Sequence, residues 1–190
     1  PFFRQRSRPA AATEIISGTH FPEENRGNYL IANVIGFQGI FQYELADDGS
    51  GFSAEEVTPL VQSTDPNFRP VDIEVGPDGA VDFLDWQNPL IGHMQHHLRD
   101  PSRDQSHGRV YRISCPDRPL QAVVSLPELS TPEVVARLKH ESDRERYRAR
   151  IELSGRDTDE VVAVARDFAA HVETTEPEFC EDCGAPMYPN

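Results

Sequence analysis

Cysteine is scarce in this 190-residue chain. Cys115, Cys180 and Cys183 are all there is, and no pairing scheme uses all three, which excludes a disulfide framework. Long apolar runs are missing as well. No stretch of about 18 apolar residues occurs, so nothing in the sequence reads as a membrane-spanning helix. Basic residues are outnumbered, with 18 Lys and Arg against 32 Asp and Glu and a formal net charge of −14. A surface of that sign repels phosphate backbones and argues against a nucleic-acid partner. Disorder is excluded by 37% hydrophobic residues, enough to build a core. The chain opens on Pro1 with neither an initiator Met nor an apolar signal segment. It therefore reads as a piece of a longer polypeptide.

What is present is strand pattern. "TEIIS" (13–17), "NYLIAN" (28–33), "GIFQYELA" (39–46) and "EVTPLVQ" (56–62) make one run. "VDIEV" (71–75), "AVDFLDW" (80–86) and "RVYRI" (109–113) make a second. Ile, Val, Tyr and Phe dominate them, as half-buried strands prefer. "DDGSG" (47–51) and "GPDG" (76–79) are turns in which Asp bonds its own backbone and Gly supplies positive φ. Two meanders in series predict consecutive blades of a β-propeller, with an open sandwich as the alternative. Cys115 follows a strand and reads as a small buried residue.

Beyond about residue 127 the period changes. Thr131 is placed as an N-cap with Pro132 at the first helical position. Ser142 and Glu145, then Asp157 and Glu160, have capping-box spacing. Val161, Val164, Ala165, Phe168 and Val172 fall on one helical face. Three short helices in tight succession predict a HEAT-like start. The expected organisation is a lead-in over 1–12, two blades over 13–126, a helical segment over 127–175 and an irregular tail over 176–190.

Residues 88–109, "NPLIGHMQHHLRDPSRDQSHGR", carry four of the seven histidines. A minimal blade would join "FLDW" to "RVYRI" through about two to five residues, so this insertion must order itself or serve something. On a short helix His93 and His97 share a face at i and i+4, as two metal ligands do. Asp100, Asp104 and His107 could complete a nitrogen and oxygen site. Against that stands a scaffold in which Arg99, Asp100, Arg103 and Asp104 pair with one another and with the backbone. "NFRPVD" joins the meanders, and an ion pair of Arg69 with Asp72 or Asp85 is the plain expectation there. In the tail, Cys180 and Cys183 have the spacing of half a zinc knuckle, with no second pair to complete it.

"FPEENRGNYLIANVIGFQGIFQYELADDGSGF" and "STDPNFRPVDIEVGPDGAVDFLDWQNPLIGHMQHHLRDPSRDQSHGRVYRI" together resemble the membrane-bound dehydrogenases of planctomycete and verrucomicrobial bacteria. In that family a six-bladed propeller, similar to soluble quinoprotein glucose and sorbosone dehydrogenases, precedes HEAT-like helices and usually a c-type haem domain. The resemblance spans roughly residues 13–172. It implies an exported, periplasmic or envelope-associated enzyme oxidising a sugar or other alcohol, with a quinone of the PQQ kind and Ca²⁺ possible in the full protein. The partners it implies are the rest of the propeller and the haem domain.

His93, His97 and His107 are then candidates for the catalytic base by residue type, and Arg69, Arg99 and Arg103 for contact with cofactor carboxylates. Three departures stand out. Asp82 occupies a strand position where the family favours an aromatic, so Asp82→Tyr should stabilise the blade. The "FCEDCGAPMYPN" tail does not continue the helices, and no C-x-x-C-H haem site occurs. A non-catalytic platform for carbohydrate or protein is the competing expectation.

Overall fold

The computed structural model describes residues 10–91 and 100–171, with the backbone alone of 178–179 and 186–187. Among the described residues it is mainly β, with two larger antiparallel sheets, one short two-stranded pair and three short helices. Sheet A orders β1 (Ala10–Ile15), β2 (Tyr29–Asn33), β3 (Gly39–Asp48) and β4 (Gly51–Gln62) as a simple meander. Sheet B repeats the pattern with β5 (Pro70–Val75), β6 (Val81–Asp85) and β7 (Arg109–Ile113). The predicted turns close both hairpins that join paired strands tightly. Gly49 (φ 60°) and Gly79 (φ 84°) supply the left-handed backbone there.

The period of two in the strands sorts their side chains between faces. Leu30 and Ala32 of β2 and Ile40 of β3 meet Ile73, Val75, Val81 and Phe83 of sheet B in one core. The alternate residues Ile31, Phe41 and Tyr43 form a second cluster on the far face of sheet A. Phe37 stacks on Phe41 there at 4.1 Å. The strands that approach most closely between the sheets are β1 and β2 with β5. The chain leaves sheet A at its last strand and returns to β5, the first strand of the next meander.

The pairing of β3 with β4 slips. Ile40 faces Val61 but Gln42 faces Val57, so Phe41 stands opposite Thr58, Pro59 and Leu60. Pro59 has no N–H to give a ladder, and a bulge is where a strand tolerates it.

Three helices follow: α1 (Thr131–Ala136), α2 (Asp143–Ser154) and α3 (Thr158–His171). Leu126, Val134 and Ala149 form their core. The cap of α1 is Ser130 and not Thr131; the Glu133 carboxylate accepts from the Ser130 N–H at 2.8 Å and from its hydroxyl at 2.6 Å. These bonds, the hydroxyl's first, hold the Glu133 carboxyl below its ordinary pKa. Ser142 caps α2, but its buried hydroxyl finds no partner among the described residues. The Asp157 carboxylate accepts from the Glu160 N–H at 3.0 Å. On α3, Val161, Val164, Ala165 and Phe168 are the half-covered apolar positions, as their spacing predicts. Arg144 of α2 binds the Val75 carbonyl at 2.7 Å and pairs with Glu14 and Glu74, tying the helices to both sheets. In the tail, β8 (Glu178–Phe179) pairs with β9 (Pro186–Met187).

Asp82 overturns the expectation attached to it. It stands opposite Arg112 in the β6–β7 ladder and receives Nε at 2.9 Å and an Nη at 3.0 Å. Asp78 takes the other Nη at 2.8 Å. An aromatic at 82 would remove one arm of this pair.

Candidate functional site at the strand ends of sheet B

The segments entering β5, leaving β6 and entering β7 converge around Arg69, Asp85 and Asn88, which are 8%, 2% and 4% exposed. A buried guanidinium must find acceptors, and Arg69 finds them in the main chain. Its Nε donates to the Asn88 carbonyl at 3.0 Å, and its two Nη groups to the carbonyls of Val34 and, at 3.5 Å, Pro89. Val34 belongs to sheet A's loop, so one side chain staples the two sheets together. Burial pushes the Arg69 pKa below the ordinary value, against the pull of Asp65 and Asp85.

The expected ion pair takes another form. Asp85 Oδ1 accepts the backbone N–H groups of Arg69 and Gln87, each at 2.8 Å. Its Oδ2 is buried and has no hydrogen-bond partner among the described residues, with an Arg109 Nη 4.0 Å away. Gln87 sits at φ 48°, a left-handed conformation unusual for a side chain larger than Gly. Asp85 and Asp65 hold it there, the latter accepting from Gln87 Nε2 at 3.2 Å. The Asn67 N–H, then the Gln87 amide, lower the Asp65 pKa.

Of the connection between β6 and β7, His93, His97 and Arg99 lie outside the described residues, as do Cys180 and Cys183 in the tail. The rest is built from Asp-led turns. Asp100 accepts from the Ser102 N–H at 2.9 Å. Arg103 donates to the Asn88 side-chain oxygen at 3.0 Å and the Leu90 carbonyl at 3.3 Å.

Asp104 Oδ1 accepts from the Ser106 N–H and hydroxyl, each at 2.9 Å, and from the His107 N–H at 3.1 Å. His107 Nδ1 lies 3.0 Å from Asp104 Oδ2. The bonds from Ser106 first, then those from His107, lower the Asp104 pKa to about 2. A carboxylate fixed in the ionised form selects the tautomer in which Nδ1 carries the proton, so Nε2 keeps a lone pair. The ring is 74% exposed, leaving that lone pair accessible. Among the described residues no three His, Cys, Asp or Glu side chains are placed to hold a metal ion.

An open groove of about 380 Å³ adjoins this region, between the end of β4 and sheet B. Phe68, Phe83 and Tyr111 line it, with Asp65, Gln87 and Arg109 supplying polar groups. Phe83 and Tyr111 stack at 5.2 Å, and Phe68 meets Phe83 edge-on at 5.9 Å. An aromatic surface with polar groups beside it can take the apolar face and the hydroxyls of a small ligand. Phe83 and Tyr111 face each other in the β6–β7 ladder, a pairing not anticipated from the sequence.

His20 carries no such signal. It is 1% exposed, with Nδ1 2.9 Å from the Pro119 carbonyl and Nε2 accepting the Cys115 N–H at 2.9 Å. Both contacts lie far away in sequence. Cys115 itself is a half-buried free thiol.

These features define a β-rich domain of two packed meanders with a polar, loop-covered end. Residues 4–117 match the family described as a domain of unknown function (DUF7133), and the chain belongs to that family. No curated protein and no solved structure matches it. Among the described residues no helix is long and apolar enough to cross a membrane.

Proposed function

We propose that this chain is part of an exported, quinoprotein-like dehydrogenase that oxidises a sugar or other alcohol, and that its two meanders are consecutive blades of a six-bladed propeller. The return of the chain from β4 to β5, with β1 and β5 packed together, supports the blade reading. The three helices then begin a HEAT-like array. The function rests on one observation, the Asp104–His107 pair with Nε2 exposed. Alcohol oxidation needs a base for the hydroxyl proton, and His107 has the orientation and accessibility for that role. The Asp104 carboxylate stabilises the imidazolium once the proton arrives. Arg109, two residues on, lines the aromatic groove assigned here to the substrate.

Main-chain carbonyls take up the Arg69 guanidinium, and one Nη of Arg103 is spent on Asn88 and Leu90, which argues against cofactor carboxylates as their partners. The acceptor of the hydride, and the haem beyond it, belong to other parts of the longer protein in this reading. The test is dye reduction by the full-length protein supplied with a quinone and Ca²⁺ across a sugar and alcohol panel. Sugar-dependent reduction is expected; its absence with every substrate refutes the enzyme reading.

A second reading, a non-catalytic carbohydrate or protein platform, is favoured by the groove itself, whose lining includes neither imidazole nor thiol. Sugar binding without dye reduction would select it.

A further inference from the structure

A second polar cavity lies on the other sheet. The bulge that sets Thr58, Pro59 and Leu60 opposite Phe41 lifts β4 away from β3 and opens about 400 Å³ beside Gln42. Gln42 is 4% exposed and sits on the same face of β3 as Ile40, where an apolar residue would extend the core. It lines the cavity, and its side-chain amide makes no hydrogen bond among the described residues. Asn28, 3% exposed, also lines it and uses Nδ2 on the Glu24 carbonyl at 3.1 Å. The Gln42 amide atoms are not sealed from solvent, so water entering the cavity can satisfy them, and a ligand that replaces that water must offer both a donor and an acceptor.

We propose that this cavity binds an uncharged, hydroxyl-rich ligand of monosaccharide size. An amide offers both a donor and an acceptor, the pair that vicinal hydroxyls require. Glu24 and Glu44 in the lining accept from further hydroxyls, and Thr58 can do either. Pro59 and Leu60 provide an apolar patch for the C–H face of a ring. No Lys or Arg lines the cavity, so an anionic ligand meets two carboxylates without a counter-charge. The volume falls in the range that small-molecule sites occupy, about 300–1,000 Å³. Bulges recur beside binding sites because they re-aim side chains, and Thr58 lies both in this one and in the cavity lining. The site stands apart from His107 and the aromatic groove, and does not depend on the proposed turnover.

The experiment is heteronuclear NMR of the 190-residue chain titrated with glucose, sorbitol and glucuronate. Glucose or sorbitol should shift the Gln42 side-chain NH₂ and the Thr58 amide in a saturable way, while glucuronate should not. Gln42→Leu should weaken that binding about tenfold or more while keeping the dispersed spectrum, and Tyr111→Ala should leave it within about twofold. If neither neutral probe moves these resonances, or if glucuronate moves them equally, the proposal is wrong. It is equally overturned if Gln42→Leu binds glucose as the unaltered chain does. Dye reduction by the full-length protein fails or succeeds independently, so the two readings are separable.

Discussion

Sheets A and B are the same meander used in two ways. The middle of sheet A, β2 and the first half of β3, is covered on both faces, with Leu30, Ala32 and Ile40 on one side and Ile31, Phe41 and Tyr43 on the other. Sheet B buries one face through Ile73, Val75, Val81 and Phe83, and its other face keeps Leu84 and Val110 42% and 74% exposed beside the Asp82–Arg112 pair. A strand buried on both faces must be apolar nearly throughout, whereas a strand buried on one can carry charge at alternate positions. The polar groups follow the same division. On sheet B Asp82 pairs with Arg112 and Asp85 Oδ1 holds two backbone N–H groups, although Asp85 Oδ2 has no hydrogen-bond partner among the described residues, while Gln42 of sheet A opens onto a cavity.

The largest effect that separates the sheets is a core truncation. Phe41→Ala should cost about 3–5 kcal/mol in urea unfolding, because Phe41 is fully buried, whereas Leu84→Ala should cost under about 1 kcal/mol. Equal losses would mean that the outer face of sheet B is covered too.

The staple comes next. Arg69→Met removes the donor shared by three carbonyls and should destabilise by about 3 kcal/mol in the same assay. Arg69→Lys should recover only part of this, since an ammonium lacks the planar fork. Full rescue by Lys would show that charge matters there and geometry does not.

Asp82→Tyr should now be mildly destabilising, by roughly 0.5–1 kcal/mol at low salt, since it removes one of the two carboxylates on a half-exposed Arg112. Added salt should shrink that difference. A gain in stability would restore the aromatic as the better residue.

The smallest effect is a titration. Asp104 ionises more readily folded than unfolded, its pKa falling from 3.8 to about 2. Its hold on Ser106 and His107 is therefore fully present above the unfolded value and is lost as pH falls through about 2. The Ser106 and His107 amide resonances should report that midpoint. A midpoint near 4 would mean that the turn does not form in solution.

Much of this architecture was legible because period and turn chemistry are local. The seven strands, the hairpin glycines and the covered face of α3 all follow from spacing. Ser130 was passed over as the α1 cap because Thr131 offers the same chemistry one residue later, and only the Glu133 contact distinguishes them. Asp82 was misjudged because its partner is set by the β6–β7 register, across a connection too long for the sequence to define. Arg69 was noticed by type, but its three carbonyls belong to two loops, one at Val34 and one at Asn88 and Pro89, that only the packed fold brings together. "EVTPLVQ" reads as one unbroken strand, and the slip at Pro59 that leaves Gln42 beside a cavity depends on pairing with β3.

The central functional claim is that His107, oriented by Asp104, accepts the substrate's hydroxyl proton. The direct measurement is sugar-dependent dye reduction by the full-length protein carrying His107→Ala, with and without added imidazole. The account predicts a fall of about 10²–10⁴-fold with folding intact, partly restored by imidazole. Unchanged turnover in the variant would contradict it.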